Sequence, residues 1–153
     1  MSATGLDVFD KTLQTTNIWL DEISKEVGPD RQVAWHVLGA VLHPLRDRLP
    51  IGLAAHLGAQ LPILVRGIYY DQWRPSEQEL KLRTAEQFME RVAQGLTGIR
   101  PINPQKAAKA VFHVLNHYVD PDQIENVRHA LPEPIRALWP VNAPKHAVVG
   151  SAA

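Results

Sequence analysis

Cysteine is absent from this chain of 153 residues. Disulfide bonds, thiolate nucleophiles and cysteine-ligated zinc sites are therefore excluded. Aromatic residues make up only 7% of the sequence. No apolar run approaches the length of about 18 residues that a membrane span needs, so we expect no membrane partner.

Neither sign of charge predominates, because Lys plus Arg and Asp plus Glu both number 16. A net charge of zero gives no general attraction for nucleic acid, and it leaves little repulsion between copies of the chain. Residues 1–7 lack the basic and apolar pattern of a secretory signal, so we expect a cytoplasmic protein. Apolar residues make up 45% of the chain, which is enough for a packed core.

An internal repeat is the most informative feature of the sequence. Residues 38–69 align without gaps on residues 108–139, and seven positions are identical. A repeat at a fixed offset predicts one helical unit used twice, with each copy covering the apolar face of the other. The identical pairs are Ala40 and Ala110, Val41 and Val111, His43 and His113, Leu45 and Leu115, Leu61 and Leu131, Pro62 and Pro132, and Arg66 and Arg136.

Apolar residues recur at steps of three and four, which is typical of amphipathic helices, and no segment alternates with period two. We expect Asp7 to cap the first helix and Pro44 to kink the second helix or end it early. The predicted buried stripe of the first helix is Phe9, Leu13, Leu20, Ile23 and Val27, with Thr16 in the gap. The predicted buried side of the fourth helix is Leu64, Val65, Ile68, Tyr69 and Trp73.

In the second half of the chain, helix starts are marked by local motifs. Thr84 and Gln87 form a capping-box pair, and Asn103 and Asp120 each precede a proline. The sequence therefore predicts an all-α orthogonal bundle of about eight helices, built from two similar four-helix halves. The single domain covers residues 1–140, with halves at about 7–74 and 84–140, a linker at about 75–83 and a flexible tail at 141–153.

Several segments resemble bacterial proteins of domain-of-unknown-function family 2267, and the resemblance covers about residues 6–140. It implies a helical, internally duplicated orthogonal bundle. It implies no activity, catalytic residue or cofactor, so we expect no cofactor. The segments are FDKTLQTTNIWLDEI, AWHVLGAVLHPLRDRLP and AAHLGAQLPILVRGIYYDQWRP in the first half, and TAEQFMERVAQGL, AVFHVLNHYV and LPEPIRALWP in the second.

Two histidines have a spacing that suits a metal. His113 and His117 lie one helical turn apart, and such a pair can chelate zinc or a similar metal. A third ligand would come from Glu125, His129 or His43. The alternative interpretation is an exposed helical pair that binds no metal.

Histidine and arginine also recur at equivalent positions of the repeat. His43 and His113 either face each other as a pH-responsive pair or each bond to a backbone carbonyl. Arg66 and Arg136 either bind an anion or serve the structure through an ion pair to a neighbouring helix.

A polar-aromatic patch is the best candidate for an interaction surface. It comprises Arg66, Tyr69, Tyr70, Trp73 and Arg74, and side chains of these types anchor protein interfaces. Tyr69 and Tyr70 point about 100° apart on a helix, so at least one aromatic ring must be partly exposed. The alternative is a ring at the rim of the core.

The remaining sequence features do not indicate a catalytic or ligand-binding site. Arg46 and Arg48 flank Asp47 and are predicted to form a solvated helix end. The sequence has no glycine-rich phosphate loop, no G-x-S-x-G elbow and no ordered Ser-His-Asp signature.

Two classes of function stay open. We favour a non-catalytic helical protein that homo-oligomerises or docks to another protein. The alternative is a small-molecule-binding or metal-binding protein, including an enzyme, with a pocket between the halves lined by His43, His113 and His117.

Overall fold

The computed structural model describes residues 2–141, and all the regular structure in this range is helical. This confirms the predicted all-α class with eight α-helices, and a short 3₁₀ turn, Pro75–Glu77, follows the fourth. None of the helices in the described part of the chain is long and apolar enough to cross a membrane. The predicted tail falls, except for its first residue, outside the described range. The helices are α1 (Asp7–Val27), α2 (Arg31–Arg48), α3 (Ile51–Ala59), α4 (Ile63–Tyr70), α5 (Ala85–Gly95), α6 (Pro104–Tyr118), α7 (Pro121–Ala130) and α8 (Glu133–Arg136).

The two halves of the chain interlock around one core. Helices α1 and α5 each lie against both α2 and α6, and α3 contacts α7. Each first helix therefore covers the second helix of its own half and that of the other half, so neither half closes a core alone. The largest fully buried side chains come from both halves and include Trp19, Leu38, Leu42, Leu57, Tyr69, Phe88, Phe112 and Leu115.

The local motifs of the second half place its helix starts as predicted. The Thr84 hydroxyl accepts from the Gln87 amide N–H at 3.0 Å, and the Gln87 side chain accepts from the Thr84 amide. The Asn103 and Asp120 side chains accept from backbone N–H groups at the starts of α6 and α7. These bonds satisfy amide groups that a helix start otherwise leaves unpaired.

Two of the sequence predictions for the first half concern the ends of its helices. Asp7 does not cap α1, because the N-cap residue is Leu6, which makes no side-chain bond. Of the two effects predicted for Pro44, an early end of α2 does not occur, because the helix continues to Arg48. A proline inside a helix costs about 3 kcal/mol. Pro44 is buried, and α2 packs against α1, α4, α5 and α6, so this packing outweighs the cost.

The predicted stripe of α1 is buried only in its C-terminal part. Phe9 and Leu13 were predicted to be buried but are 55% and 42% exposed. The residues of the stripe that are buried are Thr16, Leu20, Ile23 and Val27. The apolar periodicity therefore continues beyond the part of the core that it helps to form.

The antiparallel packing of α1 on α6 explains this exposure. Glu26 near the end of α1 pairs with His113 in the middle of α6. Trp19, farther back along α1, stacks on Tyr118 at the last turn of α6, with 5.8 Å between ring centroids. The turns of α1 that precede Thr16 therefore extend past the end of α6, which leaves that face of α1 without α6 as a partner.

Arg46 is buried, so the predicted solvated helix end is wrong. The residue is only 4% exposed. The guanidinium donates to the carbonyls of Tyr69 and Asp71 at 2.7 and 3.0 Å, and its Nε donates to Asp47 at 2.8 Å. Arg46 thus fastens the end of α4 to α2, because its donors satisfy carbonyl groups that have no helical partner.

Candidate functional site

The seam between α1 and α6 carries two glutamate–histidine pairs stacked one helical turn apart. Nδ1 of His113 lies 3.0 Å from Oε2 of Glu26, and Nδ1 of His117 lies 3.0 Å from Oε1 of Glu22. The histidine side chains are 47% and 60% exposed, whereas the glutamates are 33% and 20% exposed. In each ring Nδ1 therefore contacts a glutamate, and Nε2 lies on the opposite edge of the ring.

Tyr118 extends this polar seam by one residue. Its hydroxyl donates to Oε1 of Glu22 at 2.6 Å. This hydrogen bond, followed by partial desolvation and the negative charge of Glu22, raises the pKa of Tyr118 to about 12. Glu22 thus accepts from two α6 side chains, because His117 bonds to the same carboxylate.

The three-ligand metal site that the sequence left open is not formed in the described residues. Within 2–141, no set of three His, Asp or Glu side chains is placed to hold a metal ion. His129 pairs with Glu125 on α7 at 3.8 Å, and His43 is bonded to the carbonyl of Ile68. The suggested third ligands therefore have other partners. His113 and His117 lie together on the exposed surface of α6.

His43 and His113 have different neighbours despite their equivalent places in the repeat. Nε2 of His43 lies 2.6 Å from the Ile68 carbonyl oxygen, whereas Nδ1 of His113 lies beside Glu26. This geometry favours the backbone-bonded interpretation for His43. His113 instead contacts a carboxylate from α1.

Arg66 and Arg136 make the same kind of contact in the two halves. Each donates from its guanidinium to main-chain carbonyls at the end of the preceding helix, at 2.9–3.2 Å. This geometry favours a structural role, although through carbonyl groups rather than the ion pair that the sequence suggested. The acceptors are Ala59 and Leu61 for Arg66, and Arg128 and Leu131 for Arg136.

The polar groups of the predicted aromatic patch are bonded within the molecule. Tyr69 is fully buried and donates to the Ala54 carbonyl at 2.6 Å. Trp73 donates from its indole nitrogen to Gln78 at 2.8 Å and stacks on Tyr70, with 5.5 Å between centroids. Both Tyr70 and Trp73 are half-buried, as expected for rings at the rim of a core.

Arginines flank this aromatic cluster on either side but differ in exposure. Arg74 is 78% exposed and lies 3.5 Å from Glu77. Arg66 is half-buried and is occupied by the carbonyl groups of α3 and the loop after it. Of the predicted patch, only Arg74 is therefore largely free to meet a partner.

A different surface exposes large apolar side chains, and sequence reasoning missed it. We call Phe9, Leu13, Ile63 and Leu64 the N-terminal face. Phe9 and Leu13 belong to α1, while Ile63 and Leu64 begin α4 and are 55% and 38% exposed. The Leu64 amide donates to the Thr12 hydroxyl at 3.4 Å, so the two helices meet here.

A comparison of α1 with α5 contains a signal that could have predicted this exposed face. The buried stripe of α5, Phe88, Val92 and Leu96, has the same spacing as Trp19, Ile23 and Val27 of α1. Helix α5 begins at Ala85, so the first nine residues of α1 have no counterpart in the second half. The extra length of α1 relative to α5 indicates a segment that the shared core does not need.

Two clefts lie beside α5 and are lined in part by charged side chains. A cavity of about 290 Å³ lies between α2 and α5 and includes His43, Asp47, Glu79 and Arg91 in its lining. Arg91 is already paired with Glu79 at 2.6 Å. A larger cleft of about 630 Å³ lies between residues 78–82 and α5.

Comparison with known proteins gives a family but no described activity. No curated protein matches this chain. The family match covers residues 16–138 and begins at the point where α1 enters the core. The chain belongs to the family described as an uncharacterized conserved protein, DUF2267.

Proposed function

We propose that this is a non-catalytic helical protein that associates with a second copy of itself through the N-terminal face. The exposure of Phe9, Leu13, Ile63 and Leu64 on two adjoining helices is the observation that carries this proposal. Contiguous exposed apolar side chains mark association surfaces in soluble proteins.

The length of α1 supports a second copy as the occupant. Nine residues precede Thr16 in α1, which corresponds to about 13 Å of helix beyond the matched region. Two such segments placed antiparallel across a twofold axis would each cover the Phe9 and Leu13 of the other. Twofold contacts of this kind are the commonest in homo-oligomers.

The balance of charge also favours a second copy of the chain as the partner at the N-terminal face. The net charge of zero leaves little repulsion between two identical chains. A different protein bound to the same face would be a separate outcome, in which the purified chain alone stays monomeric.

Sedimentation velocity on the purified protein tests the proposal. We expect the natural sequence to dimerise and the double variant Phe9→Ser, Leu13→Ser to raise the dimer dissociation constant at least about tenfold, because each large apolar side chain removed forfeits roughly 1.5 kcal/mol of burial. Both side chains are exposed, so the fold should be retained.

Ile18→Ser is the matched control, since Ile18 lies on the opposite side of the same helix and is 48% exposed. We expect this variant to dimerise as the natural protein does. A natural protein that stays monomeric, or a double variant that dimerises unchanged, would contradict self-association through this face.

A role in small-molecule binding is less well supported. Ligand pockets usually enclose about 300–1,000 Å³ and present free polar groups. The cleft that contains His43 has only about 290 Å³, and its arginine, Arg91, is already paired with Glu79. The cleft of about 630 Å³ is large enough for a ligand, but the same Arg91–Glu79 pair lines it and its lining residues include no histidine. His113 and His117 lie on the α1–α6 seam and do not line this cleft.

We also propose that the two halves descend from one helical unit copied in tandem. Arg66 and Arg136 cap equivalent helix ends. Arg46 and Asn116 occupy equivalent positions, are both buried, and both donate to carbonyl groups that follow the last helix of their half. The bacterial source and the cytoplasmic location remain predictions from the sequence.

A further inference from the structure

We propose that His113 and His117 form a two-histidine binding site for a divalent transition metal of the zinc, nickel and copper group. In this site Glu26 and Glu22 hold the two rings by their other nitrogen atoms. The site lies on the α1–α6 seam and is separate from the N-terminal face, so it does not depend on self-association.

The first argument is the placement of the rings. Residues four apart on a helix have Cβ atoms about 5–6 Å apart on the same face. His113 and His117 satisfy this spacing on α6, and both side chains are about half exposed. A metal ion can therefore reach both imidazoles from solvent without any change in the packing of α6.

The second argument is the chemistry of the glutamate contacts. A metal-binding histidine usually donates its other ring N–H to a carboxylate, which fixes the tautomer and makes the ligating nitrogen more basic. Here Nδ1 of each ring lies 3.0 Å from a glutamate oxygen. Nδ1 is then the donor, and the lone pair of Nε2 is left for a metal.

The class of metal follows from these ligands. Neutral imidazole suits zinc, copper and nickel, whereas magnesium and calcium prefer oxygen ligands. Two histidines leave the remaining coordination positions to water, because no third His, Asp or Glu in the described residues joins them. This is the arrangement of an exchangeable surface site rather than a closed structural one.

Calorimetric titration of untagged protein with zinc chloride tests the site. We expect one zinc ion per chain, and we expect His113→Ala and His117→Ala each to abolish that binding. His129→Ala is the matched control, because His129 is an exposed helical histidine that pairs with Glu125 on its own helix. It should bind zinc as the natural protein does.

The role of the carboxylates has its own test. Glu26→Gln keeps the size of the side chain but removes its charge, and we expect zinc affinity to fall at least about tenfold. Glu26 is the cleaner position, because Glu22 also accepts from Tyr118. Circular dichroism spectra of the variants should match that of the natural protein.

Three results would overturn the proposal. One is the absence of stoichiometric zinc binding. Another is binding that survives loss of both histidines, which would place the metal elsewhere. The third is binding that Glu26→Gln leaves unchanged, because the rings would then act without their carboxylate partners.

Discussion

Replacing Phe112 by alanine is expected to lower the free energy of unfolding by about 3–5 kcal/mol. Phe112 is fully buried on α6, and its ring stacks on Trp139 with 4.2 Å between centroids and 6° between planes. The ring of Phe88 on α5 lies next to that of Phe112, with 6.2 Å between centroids. Alanine would leave a cavity between rigid aromatic rings, which cannot relax to fill it.

Urea denaturation followed by circular dichroism measures this loss. Phe9→Ala is the matched control, because Phe9 is 55% exposed and its removal opens no cavity. We expect the control to change the free energy of unfolding by less than about 0.5 kcal/mol at concentrations where the chain is monomeric. Equal effects at the two positions would contradict the arrangement of the core.

The second large effect is expected at Arg46, where alanine should cost about 3 kcal/mol of stability. Its loss leaves the carbonyls of Tyr69 and Asp71 without their donor and Asp47 without its buried partner. The residue is 4% exposed, so water cannot replace these bonds without opening the packing between α2 and α4.

Arg74→Ala provides the control for Arg46→Ala under the same denaturation conditions. Arg74 is 78% exposed, and its ion pair within residues 2–141 is a long contact with Glu77. Exposed pairs contribute little, so we expect a change below about 0.5 kcal/mol. An equally small change for Arg46→Ala would contradict the conclusion that Arg46 stabilises the packing of α4 on α2.

The parts of the fold that local chemistry determines were predictable from the sequence. The capping box of Thr84 and Gln87 involves residues three apart, so its bonds need no knowledge of the rest of the chain. The helical class was equally predictable, because period-3.6 stripes run through both halves.

The errors arose where distant segments decide the outcome. Phe9 and Leu13 continue a regular stripe, and they are exposed only because α6 ends before it reaches them. Arg46 resembles a charged helix end, but the backbone carbonyls that accept from it lie more than twenty residues ahead in the chain. Periodicity reports which side of a helix is apolar and not how far its neighbour extends.

Only the histidines of the candidate metal site, and not their carboxylate partners, were predictable from the sequence. The spacing of His113 and His117 is local and visible in the sequence. Their carboxylate partners, Glu22 and Glu26, lie about ninety positions earlier, and only the antiparallel contact of α1 with α6 brings them together. The suggested third ligands do not join the pair, because His43 bonds to the Ile68 carbonyl and His129 pairs with Glu125 on α7.

Pulsed electron resonance tests self-association through the N-terminal face most directly. The chain has no cysteine, so a spin label at Gln14→Cys, an exposed site on the same helix segment, is the only label in each chain. Any dipolar coupling between labels must then arise between two chains. We predict a defined distance between labels in the protein with its natural Phe9 and Leu13, and loss of that coupling when both become serine. A protein that shows no coupling, or coupling that the two serines leave unchanged, would contradict the account.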